Sequence, residues 1–293
     1  MDKLPLPEIN NSLLEMIGNT PLLELKNIDV GVCRLFVKME SQNPGGSIKD
    51  KVALSIIEQA EKDGLLKPGG TIVEATAGNT GIGLALVGVL KGYKVILVIP
   101  DKMSREKILH LKAIGTEIIF TRSDVSKEDP EYYHNIAEKI VNETPGAFYA
   151  NQFGNPANAK AHEETTGPEI WEQTDGKIDG FVCASGTGGT IGGISSYLKE
   201  KNKNIKIYLS DPTGSALYNY ISNGELKAEG GSITEGIGSS RVTKNFEDAK
   251  IDDAYSIDDH ESLPILYDLI QNEGLSLGTS CGCLLYTSPS PRD

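Results

Sequence analysis

TIVEATAGNTGIGLALVGVLKGYKVILVIP, Thr71 to Pro100, carries the pattern that decides the fold. Thr71-Ile72-Val73-Glu74-Ala75 reads as a strand, and Thr76-Ala77-Gly78-Asn79-Thr80-Gly81 as a polar, glycine-containing loop. Ile82 to Lys91 reads as a helix, Gly92-Tyr93 as a break, and Lys94 to Ile99 as an apolar strand stopped by Pro100. Ile82 to Pro100 is the longest apolar region, but Lys91, Lys94 and the break make it a buried helix followed by a buried strand. It does not read as a membrane span.

The same alternation continues on both sides. Upstream, Leu13 to Leu25 reads as a short helix, a turn and an extended entry, and Leu35 to Glu40 as a strand. A helix follows Lys49, and Lys67-Pro68-Gly69-Gly70 is a turn. Downstream come a helix over 104–114, a strand over 117–121, a helix over 130–142 and a strand over 148–153. A second series holds a helix over 156–173 broken near Gly167-Pro168, then a strand over 179–184, a loop, and a helix over 191–201. It continues with a strand over 206–210, a loop-rich stretch over 214–248, a strand over 252–257 and a helix over 259–273. Strand and helix in alternation predict α/β architecture: two open, twisted, mostly parallel sheets with helices on both faces. Two series predict two domains with a cleft between them.

With 293 residues, 39% of them hydrophobic, and a net charge of -13, the chain is an ordinary globular one. So acidic a chain has no electrostatic footprint for nucleic acid or for an anionic membrane, and an anionic ligand needs a local site. No apolar core follows a basic start, so no signal peptide is expected. Cys33, Cys183, Cys281 and Cys283 form no CxxC pair and are too sparse for a disulfide scaffold, which fits a reducing cytoplasm.

Asn43-Pro44-Gly45-Gly46-Ser47-Ile48-Lys49-Asp50-Lys51 places a lysine just after a tight loop, in the first turn of a helix marked by Val52, Ala53, Ile56, Ile57 and Ala60. Ser47 is expected to cap this helix, with Asp50 completing an approximate capping box. A helix N-terminus disfavours an ammonium, so the Lys49 pKa should be lowered, as a Schiff-base or general-base lysine requires. The bland reading, a solvated surface lysine, holds for most lysines.

Gly186-Thr187-Gly188-Gly189-Thr190 follows a buried strand and opens a helix. Its backbone N–H groups, helix dipole and two hydroxyls make a phosphate cup. It is neither a P-loop, lacking the following GK[ST], nor a dinucleotide fingerprint, since Ile191 stands at the third glycine position. Thr76 to Gly81 makes a second such junction, suited to a carboxylate. In each case the alternative is a structural turn. His162-Glu163 lacks the second histidine of a zinc-protease motif, no G-x-S-x-G elbow occurs, and His110, His134 and His260 read as surface or structural. Trp171 reads as packing.

PGGSIKD, EATAGNTGIGLAL, NQFGNPAN, TTGPEIW, GTGGTIGG and EGIGSSR occur in this order. Together, over about Leu13 to Gly282, they resemble the fold type II pyridoxal-phosphate enzymes, which are tryptophan synthase β-like. Among these the resemblance is to cysteine synthase (O-acetylserine sulfhydrylase) and cystathionine β-synthase. It implies pyridoxal 5'-phosphate held through the Lys49 amine, with Lys49 as acid/base on the substrate α-carbon. It places Gly186, Thr187, Gly188, Gly189 and Thr190 on the phosphate and Asn79 on the ring hydroxyl. Gly236, Ile237 and Gly238 would line the cofactor, and Ser280 would meet the pyridine nitrogen. Thr76, Ala77, Gly78, Thr80 and Gln152 would hold the substrate carboxylate. No metal is implied.

The implied domains are a smaller mobile unit over 44–150 and a larger cofactor unit of 9–43 plus 151–282. The implied reaction is a β-replacement that turns O-acetyl-L-serine and sulfide into L-cysteine and acetate, by a homodimer. The alternatives are cystathionine β-synthase, acting on serine and homocysteine, a related lyase such as threonine dehydratase, and a non-catalytic partner of serine acetyltransferase. Ala77 replaces a common Ser, and Lys51 a common Arg, the latter expected to alter a surface ion pair. Where relatives continue with an apolar helix, 283–293 resembles a sequencing-adapter reading frame, with Pro289 and Pro291 expected to forbid a helix. This stretch reads as a non-native tail on a truncated chain.

Overall fold

The computed structural model describes residues 9–28, 31–76, 78–101, 103 and 105–288. Ala77 and Pro289 to Asp293 lie outside the described residues. Strands β1 (Leu22–Leu25) and β2 (Leu35–Lys38) pair antiparallel. Helix α1 (Lys49–Lys62), β3 (Thr71–Ala75), α2 (Asn79–Leu90), β4 (Lys94–Pro100), α3 (Arg105–Ile114), β5 (Glu117–Thr121), α4 (Tyr133–Glu143) and β6 (Ala147–Tyr149) follow. They build a parallel sheet of order β5-β4-β3-β6. Then come α5 (Ala157–Ala161), α6 (Gly167–Gln173), β7 (Gly180–Ala184), α7 (Gly189–Lys201), β8 (Lys206–Pro212), α8 (Leu217–Asn223), α9 (Lys244–Glu247), β9 (Asp253–Ile257), α10 (Asp259–Asp268) and α11 (Thr279–Thr287). Their strands form a second parallel sheet, β7-β8-β9.

The apolar runs explain this arrangement. Ile72 to Ala75 and Val95 to Ile99 are buried on both strand faces, as a parallel sheet covered by helices requires. One core joins α1, α2, β3 and β4 through Ile56, Ile57, Ile72, Leu84 and Leu97. A separate one joins α7, β7 and β8 through Ile191, Ile194, Leu198, Cys183, Ile207 and Leu209. Gly83 lets α1 and α2 approach closely: a Cβ there would stand 2.8 Å from the Lys49 carbonyl oxygen.

Several expectations need correction. Ser47 does not cap α1; Ile48 holds the N-cap position. The Ser47 hydroxyl instead accepts the Lys49 backbone N–H at 3.2 Å, and the Asp50 carboxylate accepts from Gly45 N–H at 2.5 Å, which closes the turn rather than a capping box. The 156–173 helix is not broken at Gly167-Pro168. A π-helical turn over His162–Thr166 widens the coil one turn earlier, and Pro168 sits at the start of α6, where its missing N–H costs little.

The stretch after Gly282 is helical, not irregular. α11 continues to Thr287, buries Cys283 and Thr287, and packs against α10, β7, β8 and β9. The Ser210 hydroxyl donates to the Cys283 carbonyl at 2.9 Å. Both prolines fall beyond the last turn, so neither opposes the helix.

Candidate active site

α1 begins at Lys49 because the Asn43–Ser47 turn reverses the chain; Gly46 adopts φ +80° within it. Lys49 is half-buried as a residue, and burial of its ammonium is the main force lowering its pKa. The direction matches the sequence expectation, but desolvation is the cause rather than the helix dipole. Among the described residues, no side chain hydrogen-bonds or ion-pairs with this ammonium. Its near neighbours are the Cys183 thiol, whose pKa burial pushes up to about 12, and the buried His162 ring.

The loop between β7 and α7 is shaped by what stands behind it. Gly188 adopts φ +85° at the N-cap, and a Cβ there would meet the Phe246 backbone nitrogen at 2.6 Å. A Cβ on Gly186 would meet the Gly236 carbonyl oxygen at 2.5 Å, and one on Gly189 would overlap the Asn158 carboxamide. Only glycine fits these positions, so the backbone N–H groups at the start of the 13-residue α7 stay uncovered. The Thr187 hydroxyl accepts from Asn158 Nδ2 at 3.0 Å, and its carbonyl accepts from the Thr243 hydroxyl at 2.8 Å. Gly238 N–H donates to the Ser185 carbonyl at 2.7 Å, which brings 236–238 against the cup. Two buried oxygens beside it, Ser185 Oγ and Asn158 Oδ1, have no partner among the described residues.

The second cup follows β3. Thr76 and Thr80 are buried, Gly78 is half-buried, and Asn79 is exposed in the first turn of α2. The Thr80 hydroxyl donates to Gln152 Oε1 at 2.5 Å, so Gln152, 72 residues away in sequence, joins this loop. Glu74 lies beneath them, fully buried. Its carboxyl accepts from Gln152 N–H at 3.2 Å and faces Gln152 Nε2 at 3.5 Å. Burial pushes its pKa up to about 8 against these hydrogen bonds. Glu74 was not among the residues expected at the site; a charged residue inside an otherwise apolar strand was the available signal. Ser280 lies in the first turn of α11, on the β7–β9 side of the molecule. A cavity of about 430 Å³, lined by His134, Asn151, Phe153 and Arg241, adjoins Gln152.

One further residue differs from expectation, and a second acquires partners that the sequence did not show. Lys51 makes no surface ion pair. Its side chain is 2% exposed and its ammonium meets Glu40 and Glu169, each at 2.9 Å, and the Thr166 hydroxyl at 3.2 Å. His162 is a fully buried internal residue, bonded to Thr166 Oγ1 at 3.1 Å and to Thr190 Oγ1 at 3.3 Å.

The family described as pyridoxal-phosphate dependent enzyme matches residues 13–288. The chain belongs to this family. It is 46% identical over 276 residues to a protein named cysteine synthase 1 from Emericella nidulans, covering 92% of this chain and 74% of that one. Among solved structures it is similar to a hydrogen sulfide-producing enzyme from Fusobacterium nucleatum, with TM-score 0.88 and 37% identity, covering 96% of this chain and 90% of that one. It is also similar to an O-acetylserine dependent cystathionine beta-synthase from Helicobacter pylori, with TM-score 0.85 and 33% identity, covering 95% and 89%. The residues present fit the family's cofactor: an unpaired, desolvated amine, a glycine cup open to a phosphate, and unpartnered buried oxygens beside that cup. Among the described residues no helix is long and apolar enough to cross a membrane, and no His/Cys/Asp/Glu cluster could hold a metal.

Proposed function

We propose that this chain catalyses β-replacement on O-acetyl-L-serine, with sulfide as nucleophile and L-cysteine and acetate as products. The observation that carries the reading is the desolvated, unpaired amine of Lys49 together with two helix-N-terminal anion cups. Likeness to a cysteine synthase and to an O-acetylserine dependent enzyme supports it.

Pyridoxal phosphate, when bound, spreads the charge left on the substrate α-carbon once its proton is removed. Gly186 to Thr190 hold the phosphate through backbone N–H groups, and Gly236 to Gly238 line the opposite wall. Asn79 would hold the ring hydroxyl, and Ser280 would offer the pyridine nitrogen a neutral hydroxyl rather than a carboxylate. The uncovered N–H groups of Gly78 to Thr80, with Thr76 and Gln152, hold the substrate carboxylate and so orient the α-proton toward Lys49. Lys49, its pKa lowered by burial, takes that proton and later returns it. Residues 44–150 act as a mobile unit that closes on the carboxylate and excludes water. The enzyme works as a homodimer in the cytoplasm, in line with four unpaired cysteines, and is a candidate partner for serine acetyltransferase.

A second reading, homocysteine as nucleophile, draws support from the likeness to a cystathionine beta-synthase structure. Comparing kcat/KM for sulfide and homocysteine, with O-acetylserine and serine as donors, decides between them. Higher kcat/KM with O-acetylserine and sulfide is expected. A preference for homocysteine establishes the second reading, and no turnover of either pair overturns both.

A further inference from the structure

We propose that His162 is a positioning residue which, held by Thr166 and Lys51, presents the Thr190 hydroxyl to the cofactor phosphate as a hydrogen-bond donor. The inference rests on the phosphate-cup reading of Gly186 to Thr190.

Four buried or half-buried groups stand in line: Lys51 Nζ, Thr166 Oγ1, His162 and Thr190 Oγ1. The successive distances are 3.2 Å from Lys51 to Thr166, 3.1 Å from Thr166 to His162 Nδ1, and 3.3 Å from His162 Nε2 to Thr190. An ammonium only donates, so the Thr166 oxygen accepts from Lys51 and turns its own proton elsewhere. The His162 ring is neutral, because burial and then the charges of Lys49 and Lys51 hold its pKa well below the ordinary value. A neutral imidazole has one donor and one acceptor nitrogen. Nδ1, facing the Thr166 proton, is the acceptor; Nε2 then carries the hydrogen and donates to Thr190. With its lone pair engaged, Thr190 keeps its own proton free. A phosphate, which only accepts, needs that proton. The opposite tautomer would take it: Thr190 would donate to the ring and present only lone pairs to an anion. Thr166 thus selects the tautomer, and Lys51 selects the orientation of Thr166. Burial of the whole line, with Lys51 at 3%, Thr166 at 1% and His162 at 0% exposure, keeps water from scrambling this order.

The test compares pyridoxal phosphate with pyridoxal, which lacks the phosphate, as ligands of the full chain stripped of cofactor. The quantity read is the ratio of their affinities. Thr190→Val should shrink that ratio about tenfold, as loss of a hydrogen bond to a charged group would. His162→Leu and Thr166→Val should each shrink it by a similar factor, and their double variant no further. His162→Gln, with both a donor and an acceptor, should recover part of the loss. In the reconstituted holoenzymes, the 31P resonance should move in the same direction for T190V, H162L and T166V. If T190V leaves the ratio unchanged, the Thr190 hydroxyl does not donate to the phosphate and the proposal is overturned; the phosphate-cup reading itself fails only if the parent binds pyridoxal as tightly as pyridoxal phosphate. If T190V shrinks it while T166V and H162L weaken both ligands equally, or neither, His162 is only a space-filling residue and the proposal is overturned. T166V, nearly isosteric, keeps the test open should H162L not fold.

Discussion

Lys51→Met removes a buried charge without changing much volume, and its cost follows from the partners left behind. Lys51, Lys38, Glu40 and Glu169 form one cluster with two charges of each sign. Lys51 pairs with both carboxylates at 2.9 Å, and Lys38 pairs with Glu169 at 2.6 Å. The side chains are 2% exposed for Lys51, 13% for Glu40 and 11% for Glu169, so solvent does little to screen them. At an effective dielectric near 20, each 2.9 Å contact contributes about 6 kcal/mol of attraction. Desolvating the ammonium cancels several kcal/mol of the total, which leaves about 3–5 kcal/mol lost when one partner of a buried pair is removed. Glu169 retains Lys38, and Glu40 retains the Thr20 hydroxyl at 2.8 Å and Asn43 Nδ2 at 2.7 Å, so about 3 kcal/mol is the expected loss. Urea unfolding with saturating cofactor, followed by circular dichroism and Trp171 fluorescence, measures it. Lys51→Met/Glu40→Gln restores neutrality with the Lys38–Glu169 pair intact and should regain at least half the loss. A single variant as stable as the parent, or a double variant less stable than the single one, refutes the reasoning.

Lys49→Ala should abolish the visible absorbance band that borohydride fixes onto the chain, and lower turnover by about 10²–10⁴-fold for loss of the proton-transfer group. Glu74 gives a pH prediction. Its pKa is raised from 4.5 to about 8 in the folded chain, so between those values the folded state binds the proton and the unfolded chain does not. The advantage of the protonated carboxyl is whole below about pH 4.5 and gone above about pH 8. Each pH step of one across that window removes about 1.4 kcal/mol of stability. Glu74→Gln should therefore lose less stability than the parent between about pH 5 and about pH 8.5 in urea titrations; parallel profiles contradict the assignment. Gly189→Ala must displace the Asn158 carboxamide and with it the bonds to Gln152 and Thr187, so cofactor affinity measured by reconstitution should fall by more than about tenfold.

The βα alternation was legible because these strands are buried on both faces and so appear as unbroken apolar runs, as in Val95 to Ile99. The tight strand-to-helix loops were legible because a crowded backbone leaves glycine in the sequence, and Gly186, Gly188 and Gly189 have no room for anything larger. Burial set by distant partners left no local mark. Lys51 reads as another charged residue near a helix start, and its partner Glu169 lies 118 positions on. His162 lost its interest when no metal motif followed; its meaning depends on Thr190, 28 positions away. The end of α11 was misjudged for a related reason. Pro289 and Pro291 dominate the local reading, but helix formation through Thr287 depends on packing: a Cβ on Gly282 would overlap the Ser262 carbonyl, which only this close α10–α11 contact brings near.

The two cups are not independent. One follows β3 in the first sheet and the other follows β7 in the second, so their separation has to be fixed by something that touches both. Residues 152–158 do so. Gln152 reaches the first cup through Thr80 and Glu74, at 2.5 and 3.2 Å. Its carbonyl accepts from Asn158 Nδ2 at 2.8 Å and from Asn245 Nδ2 at 3.0 Å. The same Asn158 amide donates to Thr187 in the second cup at 3.0 Å. All of these side chains are buried, and their bonds add to the packing of α5 on α1 and α7. One asparagine and one glutamine thus bridge the two loops. This explains why Gly189 cannot carry a side chain: the space beside it belongs to Asn158, the residue that ties the two loops together.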